Sequence, residues 1–119
     1  MKRSVFAFSA LVLALGPTAM AQTVSEAQMR AANMARMSAE VLNGGLAKYS
    51  PADCMHQGGG GSCLVSNTPD GYLFQFLGGA PGWASRRDAA TVETVVLVAP
   101  DAKTLKVQYN GPVRWSANP

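Results

Sequence analysis

Cys54, Met55, His56 and Cys63 place two thiols, a thioether and the only imidazole of the 119-residue chain within ten positions. Reduced, these four would form a soft sulfur and nitrogen set suited to Cu(I) or zinc, although their spacing matches no finger or ribbon pattern. Oxidised, Cys54 and Cys63 would instead close a ten-residue loop and leave no thiol for a metal. The two chemistries exclude each other, and the compartment decides between them. A thiol–imidazole nucleophile is disfavoured in both, because neighbouring positions rarely present Cys and His to one another and a bridged Cys has no thiolate. The eight residues between the cysteines are also too many for a thioredoxin-type redox pair.

The compartment is written at the start of the chain. Lys2 and Arg3, an h-region from Val5 to Leu15, Pro17 and then Ala19-Met20-Ala21 have the layout of a secretory signal peptide, residues 1–21, cleaved after Ala21. Eleven residues are too few for a hydrocarbon core that takes about 20, so no stable membrane insertion is expected after cleavage. A single small domain, residues 22–119, is left, with a periplasmic or secreted location. There a Cys54–Cys63 disulfide is the expected state, and in the chain-entropy model it contributes about 2.7 kcal/mol. The metal set is the alternative, and no cofactor is expected.

Charge and composition narrow the function further. Without Lys2 and Arg3 the chain carries eight basic against seven acidic residues, so the +3 of the whole sequence gives no ground for nucleic-acid binding. No two of the acidic residues form a recognisable catalytic pair. Gly58 to Gly61 has neither the Lys-Ser/Thr of a phosphate loop nor the G-x-G-x-x-G pattern, and reads as a flexible loop. These features favour a non-catalytic binding or interaction domain over an enzyme.

For binding, the most informative stretch is Gly78 to Ala90, GGAPGWASRRDAA, where a hairpin would need only two to five residues. It carries Trp83, Arg86 and Arg87. An indole face beside guanidinium groups can stack a sugar or an aromatic side chain and hold a carboxylate or sulfate. The competing arrangement has Trp83 folded back over the sheet and both arginines in water. Arg114-Trp115, after Pro112, is a weaker version of the same motif, or an anchored tail.

The elements that must position these residues follow from periodicity. Thr23 with Glu26, or Ser25 with Gln28, can form a capping box, after which a helix runs from about Ser25 to Leu42. Ala27, Ala31, Met34, Ser38 and Val41 form its expected inner stripe, widened by Met37 and Leu42, and Asn43-Gly44-Gly45 stops it. Ser50-Pro51-Ala52-Asp53 reads as a helical turn. The period then changes to two. Four strands are expected near 63–67, 72–77, 92–98 and 105–109, with Thr68-Pro69-Asp70-Gly71 as a tight turn and Asn110-Gly111-Pro112 ending the sheet.

The fold class is therefore α+β: one N-terminal helix across a four-stranded antiparallel meander sheet, with a disulfide-closed Gly-rich loop between helix and sheet. In element order alone this is similar in outline to cystatin-like domains. The cystatin pattern Gln-x-Val-x-Gly is absent, so that similarity assigns no functional residue. Tyr72, Phe74, Phe76, Val92, Thr94, Val96, Val98, Leu105, Val107 and Tyr109 should face the helix. The reverse face carries Gln75, Glu93, Lys106 and Gln108 as expected of a solvated surface, but also Leu73, Leu77, Val95 and Leu97. That apolar patch implies self-association or contact with another exported macromolecule, unless the Trp83 loop or the Trp115 tail covers it.

Overall fold

A computed structural model describes residues 23–115; the expected leader and its cleavage site lie outside the described residues. Ser25 opens the helix α1, Glu26–Leu42, by accepting the Gln28 N–H on its Oγ at 3.0 Å. The capping box closes only halfway. Gln28 Nε2 donates instead to the Gly59 carbonyl at 3.1 Å, which ties the first helical turn to the Gly-rich loop.

The face that α1 buries differs from the one its largest side chains mark. Ala31, Ala32, Ala35 and Ala39 are buried, whereas Met37, Val41 and Leu42 are exposed, Val41 by 78%. The cause lies in the sheet. Phe74, Phe76, Val96 and Val98 already fill the space between the layers, so a strip of methyl side chains brings the helix closest to them. Ala27 and Met34 of the expected stripe do pack against the core, while Met34 also lines, with the displaced Met37, Val41 and Leu42 and with Leu105, an open groove on the flank of the helix.

The four expected strands are present as β2 (Leu64–Thr68), β3 (Gly71–Gly79), β4 (Val92–Val98) and β5 (Leu105–Gly111), antiparallel and in meander order. A fifth precedes them. Ser50–Pro51 is a short strand β1 against Gly79 and Gly78 of β3, not the expected helical turn. Pro51 sits at the sheet edge, where its missing N–H costs no ladder bond. A 3-10 turn, Asp53–His56, and an irregular kinked segment, Gly58–Cys63, with positive φ at Gly59, Gly60 and Gly61, then bring Cys54 and Cys63 to a Cα separation of 5.6 Å, and the two are disulfide-bonded.

Between the cysteines the glycines form a packed piece of the core, not a linker. Gly59 and Gly60 are buried. Gly60 has φ +88°, and a Cβ there would lie 2.5 Å from Phe74 Cε1, so both backbone and space demand glycine. Gly78 serves a second close approach, because a Cβ there would collide with the Tyr49 ring and hydroxyl.

Two bulges adjust which side chains face the helix. Val65 bulges out of β2 between the pairs Leu64↔Phe74 and Ser66↔Leu73. On β5, Val107 pairs with Val96 but Tyr109 pairs with Val95, so the extra residue Gln108 turns Tyr109 to the reverse face and away from its expected place in the core. Strict alternation cannot reveal such a shift.

Candidate functional site

The loop between β3 and β4 is held by consecutive turns. The Trp83 N–H donates to the Ala80 carbonyl, the Asp88 N–H to the Trp83 carbonyl and the Thr91 N–H to the Gly78 carbonyl, each at 2.9 Å. Its indole is folded back: Nε1 donates to the Ser50 carbonyl of β1 at 2.9 Å, and the ring lies over Gly79. Arg86 is engaged within the loop, with Nε 2.9 Å from Asp88 Oδ2 and Nη1 3.0 Å from the Pro81 carbonyl. Arg87 is exposed and takes a left-handed φ of 63°. Trp83 thus belongs to the sheet surface, and the two arginines to the solvent side of the loop.

The second tryptophan reaches the same place from the other end of the chain. Glu93, on β4, is 1% exposed, and its carboxylate collects four donors. Oε1 accepts the backbone N–H groups of Arg114 at 2.8 Å and Trp115 at 3.0 Å; Oε2 accepts Gln75 Nε2 at 3.0 Å and Arg114 Nη2 at 3.1 Å. Burial alone would push this carboxyl up. The Arg114 guanidinium and N–H, Gln75 and the Trp115 N–H together outweigh it and hold the group at about 2. The Arg114 guanidinium also stacks on Tyr109, 3.4 Å from the ring centroid, and the Tyr109 hydroxyl donates to the Pro112 carbonyl at 2.6 Å. Glu93 is therefore a tail anchor and not one of the solvated residues its strand position implied.

Trp83, Trp115, Gln75, Leu77 and the Cys54–Cys63 bridge then line one recess of about 130 Å³ beside the reverse face. From it the apolar surface continues along the sheet through the cross-strand pairs Gln75↔Val95 and Leu73↔Leu97. Leu73, Val95 and Leu97 are half-buried, and Leu97 borders a further open recess with Asp70 and Lys106. Loop and tail thus close over one end of the reverse face, and the other end stays accessible.

The four residues of the metal alternative are not brought together. Cys54 and Cys63 are bonded to each other, the Met55 side chain is buried in the core and His56 is exposed. Among the described residues no group of three or more His, Cys, Asp or Glu is placed to hold a metal ion. Asp53, His56 and Ser85 do border one polar recess of about 140 Å³, next to Trp83. Among the described residues no hydrogen bond joins any two of the three. Tyr49 is a core ring as well: burial pushes its phenol up to about 12, more than the nearby Thr94 hydroxyl lowers it.

A disulfide in this position persists in an oxidising compartment. Among the described residues no helix is long and apolar enough to cross a membrane. Comparison with protein-family models, with curated proteins and with solved structures finds no match, so the functional reading rests on the residues themselves.

Proposed function

We propose that this protein is a small exported, non-catalytic interaction domain. Its contact surface is the reverse face of the sheet together with the recess between Trp83 and Trp115, and its partner is another exported macromolecule presenting apolar or aromatic side chains. The observation that carries this reading is the meeting of two indoles, one from the β3–β4 loop and one from the C-terminal tail, beside Leu77 at one end of the Leu73, Val95 and Leu97 surface. Tryptophan joins large apolar area to few rotatable bonds, which is why it anchors interfaces. A carboxylate buried only to hold the tail, as Glu93 is, keeps one of those anchors in place before any partner arrives.

The experiment is photo-crosslinking in cells that export the protein, with a photoreactive residue at Leu97, at Trp115 or, as a control, at Met29 on the exposed side of α1. A discrete product of one mass from the first two positions and none from the third supports the proposal. No product, or the same spread of products from all three, overturns it.

A further inference from the structure

The chain contains two Asn-Gly steps, Asn43-Gly44 at the end of α1 and Asn110-Gly111 at the end of β5, and the fold brings their side chains face to face. Asn43 Nδ2 donates to Asn110 Oδ1 at 3.1 Å, and Asn110 Nδ2 donates back to Asn43 Oδ1 at 3.0 Å. Two flanking bonds fix the orientation of this amide pair. The second hydrogen of Asn43 Nδ2 goes to the Ala39 carbonyl at 2.8 Å, and the Thr94 hydroxyl donates to Asn110 Oδ1 at 2.7 Å. Helix and sheet are joined here through a reciprocal amide pair in which Asn43 spends both of its amide hydrogens.

Asn-Gly is also the step at which an asparagine most readily loses its amide. The backbone nitrogen of the glycine attacks the side-chain carbonyl carbon, ammonia leaves, and a five-membered imide forms. Water then opens the imide to an aspartyl or isoaspartyl residue. We propose that Asn43 and Asn110 form one coupled deamidation site, which the folded state holds shut and which, once either amide is hydrolysed, opens the other.

Attack requires the glycine nitrogen to approach the side-chain carbon, and the structure keeps both steps away from that geometry. The Gly44 N–H is engaged with the Val41 carbonyl at 3.3 Å, and Asn43 has ψ 19°. Asn110 is held extended in β5, paired with Thr94, and Gly111 is paired with Glu93. Each amide group is in addition gripped by the other.

Hydrolysis at either position removes an NH2 and leaves a carboxylate that only accepts. At position 43 it would set negative oxygens against both the Ala39 carbonyl and Asn110 Oδ1, and place a charge at the helix C-terminus, where the macrodipole opposes it. At position 110 the Thr94 bond survives, but the donor to Asn43 Oδ1 is gone. In each case one of the two reciprocal bonds is lost and only the other persists, onto the new carboxylate, so the partner amide and the helix end are held less tightly. The first event is slow and the second fast.

The test uses the oxidised protein in water enriched in oxygen-18 at mildly alkaline pH, with peptide mass spectrometry at both positions and a parallel incubation in urea. Three results are expected. Both amides survive at least about tenfold longer in the folded protein than in urea, which corresponds to about 1.4 kcal/mol of local opening. Doubly hydrolysed folded chains exceed the product of the two single-site fractions. In Asn110→Ser, Asn43 hydrolyses about tenfold faster than in the wild type. Equal rates in folded and unfolded protein overturn the protection. Double hydrolysis at the product of the single fractions overturns the coupling, and this is read in the wild type alone, even if the variant fails to fold.

Discussion

The backbone N–H of Trp115 donates to the buried carboxylate of Glu93 at 3.0 Å, and this bond places the second indole over the recess. Glu93→Gln removes the charge that gathers four donors. It should cost about 1 to 3 kcal/mol, below the usual loss for a broken buried pair because Arg114 is half-exposed and regains water. Denaturant midpoints measure the loss, and the Trp115 emission should move towards that of a solvated indole.

The same anchor sets a pH dependence. Glu93 sits at about 2 in the folded protein, below the ordinary 4.5, so its ionised form is the one that folding favours. Its contribution is complete above about 4.5 and is lost as pH falls through 2. Wild type and Glu93→Gln should therefore differ in unfolding midpoint at pH 6 and converge near pH 2. A difference that grew on acidification would contradict the assignment.

The Gly-rich loop is tested by contrasting two of its glycines. Gly58 has open space around its Cα, whereas a Cβ at Gly60 meets Phe74 from a left-handed backbone. Gly60→Ala should cost about 2 to 4 kcal/mol, the sum of backbone strain and overpacking, and Gly58→Ala less than about 1. Thermal unfolding of the two variants checks it.

Phe74→Ala should cost about 3 to 5 kcal/mol, since the ring is completely buried beneath α1. Gln75→Ala, on the opposite face, should cost about 1 kcal/mol through its bond to Glu93. Equal losses at the two positions would mean that the sheet faces are wrongly assigned.

What the sequence made legible was the element order and one level of patterning. The N-cap at Ser25, the strand β4 from Val92 to Val98 and the pairing of Cys54 with Cys63 follow from capping, alternation and cysteine count, and the structure contains all three. The misreadings have a common physical origin. Which face of α1 is buried depends on the bulk of Phe74 and Phe76 across the layer, and the orientation of Tyr109 depends on one bulge. Glu93 looked like a surface acid because nothing local announces that a tail 21 and 22 residues later will supply its donors. Likewise, an indole in a long loop gave no sign that its N–H would be used by Ser50.

The most direct test of the proposed contact surface is Leu97→Glu, read for stability and for crosslinking from Trp115 in the same preparation. Leu97 is only half-buried, so a charge there can reach water, and the unfolding free energy should change by less than about 1 kcal/mol. The crosslinked product should disappear. A loss of about 3 kcal/mol or more, in a wild type that is monomeric and yields no product, would show that the face is covered from within and contradict the account.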